Sequence, residues 1–188
     1  MTPEEIRNRA HEFRDLFLAG DPGTIDHLRT FHPEVAKPEI ADLLLDHGAE
    51  IDALDEDRRS TPSQWQLNQP TVCRRLIERG ACVDLFMAAA LGDLNLVKQV
   101  LEAEPETIHA RTHQKPCSPS REEAPNIYGG DALGACVWGS KNWDETRDSD
   151  GPCIQRLVDA GMRVDPIHLD YGSDQVVPVL RRLLKEQI

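Results

Sequence analysis

The chain has 188 residues, of which 39% are hydrophobic and only 5% aromatic, with a mean hydropathy of -0.49. That composition can fold, but it is thin for one large core and suits an array whose units each bury a single stripe. A net charge of -12 argues against a nucleic-acid phosphate backbone as partner, and no run approaches the ~18 apolar residues that would span a membrane.

Residues 1–18 open with Thr2-Pro3-Glu4-Glu5, a helix start with a capping Thr, a Pro at the first position and a Glu able to close a capping box. Ile6, Ala10, Phe13, Phe17 and Leu18 follow at helical spacing. Gly20-Asp21-Pro22-Gly23 breaks this helix, and residues 24–31 return as a second one. Pro38 begins a further helix in which Ile40, Leu43, Leu44 and Leu45 are expected to bury. Gly48 stops it, because a left-handed C-terminal residue costs glycine nothing. Residues 49–57 then leave as an extended loop, and Asp55-Glu56-Asp57-Arg58-Arg59 would occupy its tip.

Thr61 and Pro62 cap and start another short helix, and Pro70 starts the next, with Val72, Cys73, Leu76 and Ile77 inward. Gly80-Ala81 ends that helix as Gly48-Ala49 ended the earlier one. The two glycines lie 32 positions apart, close to the period of about 33 of one repeat class. Residues 84–91 form a short small-residue helix, Gly92-Asp93 turns the chain, and residues 94–103 return until Pro105 stops them. Residues 106–130 lose all periodicity and read as a long insertion. Residues 131–141 resume a short helix, 142–151 form a second, acidic insertion, and 152–161 return to Gly161. A last helix spans 173–187, its regular part beginning near Pro178.

These residues carry a resemblance. Thr61-Pro62, Ala88-Ala89 with Gly92-Asp93, Leu43-Leu44-Leu45-Asp46-His47-Gly48-Ala49, and Gly161-Met162-Arg163-Val164-Asp165 are similar to segments of the ankyrin-repeat unit. That unit is a TPLHxAA helix, a Gly turn, a Leu-rich return helix, a Gly-Ala exit and a finger loop. The resemblance covers residues 37–165. It implies an all-α fold, an α-solenoid of irregular ankyrin-like helix-turn-helix repeats with helical caps, in a single domain over residues 1–188. Residues 1–37 would be the N-terminal cap, 38–165 the repeats with insertions at 106–130 and 142–151, and 166–188 a C-terminal cap helix. Ser63 and Gln64 stand where the family has Leu and His, which removes its usual hydrogen-bonding histidine from that unit.

No catalytic or metal constellation emerges. His109, His113 and Cys117 are four apart in turn, but the segment runs into Pro116. The acidic run 144–151 fails as a calcium loop: with Gly151 at its sixth position, Thr146 and Leu157 fall where carboxylates are needed. It reads instead as a solvated loop. Cys73, Cys136 and Cys153 fall at inward helical positions, which suits small core residues rather than nucleophiles.

The resemblance implies a protein–protein interaction module, not an enzyme, using the concave inner helices and finger loops. The implied contacts are Asp57, Arg58 and Arg59 at a finger tip, with Asn68, Leu91 and Trp138 at exposed ends of opening helices. No cofactor, nucleic acid or membrane is called for, and a monomer with a protein partner of basic surface is expected. Five cysteines and a charged N-terminus without a leader suggest a cytoplasmic setting with reduced thiols. The competing reading is a small-molecule-binding or hydrolytic protein using residues 106–130, with Cys117 and His113 as its groups. A polar pocket with a perturbed histidine or cysteine beside that segment would favour it.

Overall fold

The computed structural model describes residues 8, 37–54, 60–109, 131–142 and 147–187, and of Asn68 the backbone alone. Among them are nine α-helices, two 3-10 turns and no strand. No helix among these residues is long and apolar enough to cross a membrane. The expected helices at 1–31, the loop tip 55–59 and most of the 106–130 insertion lie outside the described residues.

Prolines and caps set most helix starts. α1 spans Pro38–Asp46 and α2 spans Pro62–Trp65, continuing as a 3-10 turn over Gln66–Asn68. α3 spans Pro70–Glu78, α4 Leu85–Ala90 and α5 Leu94–Ala103, followed by a 3-10 turn over Pro105–His109. α6 spans Ala132–Asn142, α7 Asp150–Asp159, α8 His168–Tyr171 and α9 Val177–Glu186. Thr61 caps α2 as expected and completes a capping box with Gln64, and Asp84 and Asp93 cap α4 and α5 through their side chains. Gly48, Gly80 and Gly161 take φ values of 88°, 98° and 114° after α1, α3 and α7, the left-handed exits that glycine permits.

The helices pair in sequence: α2 with α3, α4 with α5, α6 with α7 and α8 with α9. α4, α6 and α8 form one row, and α5, α7 and α9 the other, while α1 lies against α3. α4 is the centre, with all six of its residues, Leu85 to Ala90, buried. Its alanines let α6 approach so closely that a Cβ on Gly139 would run into the Ala90 carbonyl. The main core joins α4, α5, α6, α7 and α9 through residues such as Leu85, Val97, Leu133, Ile154, Leu157 and Leu180.

Polar ties connect successive pairs. Gln64 Oε1 accepts from the Thr61 N–H at 2.9 Å while its Nε2 donates to Asp84 Oδ2 at 2.8 Å, so one side chain links the caps of α2 and α4. Arg74 on α3 donates to the Leu91 carbonyl at 2.8 Å and pairs with Asp93 at 3.2 Å.

Three expectations change. Leu44 is 42% exposed, because α1 meets α3 through Ala41 and Leu45 instead. The 166–188 segment holds two helices rather than one, since Asp165, Pro166 and a buried His168 start α8 ahead of α9. The acidic 142–151 stretch is not a solvated loop throughout. Arg147 and Asp150 form an ion pair at 2.8 Å with 9% and 2% of their side-chain surfaces exposed. Asp150 is already the first residue of α7.

Candidate functional site

The six residues implied as partner contacts do not come together. Asp57, Arg58 and Arg59 lie outside the described residues, and Asn68 sits at the end of the 3-10 turn that follows α2. Leu91 corrects the expectation of an exposed helix end. It is fully buried at the C-cap of α4, packed with Leu67, Cys73, Phe86 and Ala135. A short helix at the centre of the molecule has its C-terminal end covered by its neighbours, so Leu91 offers no side-chain surface to a partner. Trp138 is half-buried on α6, its carbonyl accepting from Asn142 Nδ2 at 2.8 Å. Trp65 is also half-buried.

The cysteines behave as core residues. Cys73, Cys136 and Cys153 are free and fully buried. Burial pushes the Cys73 thiol up to about 12. The Cys136 thiol is pushed well up by hydrogen bonding with Cys153, then by burial. Thiols held so firmly protonated are poor nucleophiles. Cys82, in the turn before α4, is disulfide-bonded, which departs from the expectation of uniformly reduced thiols. Cys117 and His113 lie outside the described residues. Among the described residues no group of three or more His, Cys, Asp or Glu side chains is arranged to hold a metal.

The feature that sequence reasoning missed is a cavity of about 610 Å³ on the loop side of α6 and α8. Ile108 and His109 close one side, Asp131 stands at the start of α6, and residues 161–168 form the other wall. Asp131 Oδ1 accepts from the Gly134 N–H at 2.7 Å, and Asp165 Oδ1 from the Ile167 N–H at 2.9 Å. Each carboxylate thus stands just ahead of a helix, Asp131 before α6 and Asp165 in the turn before α8, fixed by a local backbone bond.

His168 lies between them, only 3% exposed. The Asp165 N–H donates to its Nδ1 at 3.1 Å, so the neutral ring carries its proton on Nε2. The ring stands edge-on to Tyr171, centroids 5.8 Å apart. Burial pulls the His168 pKa down, against the opposing fields of Asp131 and Asp165. Tyr171 is pushed up to about 12 by burial first, then by the same two carboxylates. The same two carboxylates therefore act on both rings, and at His168 burial works against them. The sequence signal was present in Asp165-Pro166-Ile167-His168: an Asp-Pro turn just before the histidine that begins α8.

No protein-family model, no curated protein and no solved structure matches this chain.

Proposed function

We propose that the chain is a divergent ankyrin-type stack that binds a partner protein. Four features support the architecture. Helices pair in order, with first members packed on one another in one row and return helices in the other. Left-handed glycines end α1, α3 and α7. Asp165-Pro166-Ile167-His168 is similar to the family's TPLH opening, with the histidine bonded back to the first residue's N–H. Gln64 takes the same position in the unit of α2, where it bonds back to Thr61 and across to Asp84. The family's histidine is therefore replaced there by an amide that makes an equivalent link.

The observation that carries the function is the open, charged cavity on the loop side of the row. Concave sites of that kind serve binding. The hydrolytic reading has the cavity in its favour, but His168 spends Nδ1 on the backbone and serves as a structural histidine. The test is affinity capture from the native host with wild type, Arg58→Glu and Trp138→Ala. Specific partners captured by wild type and lost in either variant support recognition through these residues. Partners that survive both changes would place it on another surface, and no specific partner at all would remove the reading.

A further inference from the structure

We infer that the cavity between His109 and the 161–168 wall takes a neutral carboxamide, the side chain of a glutamine or asparagine of the partner protein, on the Nε2–H of His168. The inference rests on the recognition reading and names the chemistry of what is recognised. A buried donor left open carries it. His168 lines the cavity and is only 3% exposed. Its Nδ1 accepts from the Asp165 N–H at 3.1 Å, which leaves the ring proton on Nε2. Among the described residues nothing accepts from that Nε2–H, yet the atom is not sealed away as the Tyr171 hydroxyl is. A nearly enclosed ring with one open donor, in a residue that lines the cavity, presents that donor to whatever enters. The unit of α2 shows what such a donor needs. Gln64 holds the Thr61 N–H as His168 holds that of Asp165, and its Nε2 donates to Asp84 Oδ2 at 2.8 Å. His168 makes the same backbone bond and has no such acceptor among the described residues.

Charge selects among acceptors. A carboxylate would meet the carboxylate of Asp165, in a chain of net charge -12. An ammonium or guanidinium brings only donors to a donor. A neutral carbonyl satisfies Nε2–H, and a carboxamide adds donors of its own. Asp165 has acceptor sites for them, since among the described residues its carboxylate takes only the Ile167 N–H, at 2.9 Å. Ile108 and Val164 are buried in the cavity wall, and Met162 and Ile167 flank it, so the short aliphatic stem of such a side chain has apolar surface to lie on. A volume of about 610 Å³ holds that side chain together with its flanking backbone.

The probe is N-acetyl-glutamine methylamide, set against its glutamate, lysine and norleucine analogues, which keep the backbone amides and an aliphatic stem. Each is titrated into the full chain carrying isotope-labelled histidine, and the His168 ring signals are followed by NMR. His168→Gln assigns those signals, because glutamine can hold the Asp165 N–H as Gln64 holds that of Thr61. The glutamine probe should shift the His168 ring saturably, and the three analogues should bind about fivefold or more weakly, the worth of one hydrogen bond. Ile167→Ser trims an exposed side chain from the wall and should weaken the glutamine probe about fivefold with the melting temperature unchanged. Leu44→Ser trims a comparably exposed side chain on α1 and should leave the affinity as it is. Equal effects of these two substitutions would overturn the inference, and so would the absence of a saturable shift at His168. Norleucine binding as well as glutamine would overturn it in favour of an apolar groove, and lysine binding best would overturn it in favour of a cation. Ile167→Ser should also lose the partners that wild type captures. Capture that survives it while the probe is weakened would overturn the partner as the source of the carboxamide and leave a free amide as the occupant. Failure of the probe with wild-type capture intact locates recognition elsewhere, whereas failure of wild-type capture removes the premise itself.

Discussion

Two clusters of charge hold this molecule together, and they work in opposite ways. Between α1 and α3, Asp42 accepts from Arg75 Nε at 2.9 Å and from Arg79 Nη1 at 2.7 Å, while Arg79 Nη2 reaches Asp46 at 2.7 Å. These groups are all substantially exposed. Among α4, α6 and α7, Arg147 and Asp150 are sealed from water. Arg147 Nε also approaches Asp150 Oδ2 at 3.3 Å, and Nη1 donates to the Ala90 carbonyl at 2.9 Å. The pair lies against Gly92 and Gly139, where a Cβ would collide with Asp150 or with Ala90. The exposed network sets the register of two helices and is dispensable, since water competes for every member. The buried pair satisfies the C-terminal end of α4 and cannot lose one partner without stranding the other.

The largest effect should come from breaking the buried pair. Arg147→Ala leaves the Asp150 carboxylate uncompensated and the Ala90 carbonyl without its donor, at a cost of about 3–5 kcal/mol. Urea denaturation followed by circular dichroism measures it. A loss no larger than that of an exposed substitution would mean that water reaches the site.

A smaller effect tests the close approach that the pair sits beside. Gly139→Ala pushes a methyl into the Ala90 carbonyl and should cost about 1–3 kcal/mol, because backbone cannot step aside as a flexible side chain can. Gly151→Ala, in the first turn of α7, meets only Val179 at an ordinary 3.5 Å. It should be neutral or up to about 1 kcal/mol more stable, through helix propensity alone. Equal destabilisation by both would show that helix propensity and space are not what separates these glycines.

The smallest and sharpest effect is one of sign. The hydrogen bond from Arg75, helped by Arg79 against some burial, holds Asp42 below its ordinary carboxylate value. Its contribution is present above the unfolded value and is lost as pH falls through the folded one. Burial holds Asp150 above its ordinary value despite Arg147. Its contribution is present below the unfolded value and is lost as pH rises through the folded one. Melting temperatures measured from pH 7 down to about pH 3 should therefore move in opposite directions. The advantage of wild type over Asp42→Asn should shrink toward acid, and the advantage over Asp150→Asn should grow. Parallel trends would erase the distinction between the two clusters.

Much of the helix order was legible. Pro38, Thr61-Pro62, Pro70, Asp93 and Gly48, Gly80 and Gly161 mark boundaries by local chemistry, and α1, α3 and α5 begin where those residues put them. The inward cysteines were legible too, from helical period alone. The candidate cavity was not. It gathers Ile108, Asp131 and His168 from three separated stretches, and no local pattern reports such a meeting. Leu91 failed for a related reason. Its place after an alanine-rich helix suggested an exposed end, but the neighbours that cover it come from α3 and α6.

By itself the sequence determined most of the described helix starts and stops, because capping, proline and left-handed glycine act within a few residues. Burial was decided by tertiary structure. Asp150 and Arg147 look like members of an acidic surface loop until α4 and α6 close over them, and Leu44 looks like core until α3 packs against its neighbours instead. The physical reason is that solvation depends on what every other element leaves open, whereas backbone caps depend only on the chain beside them.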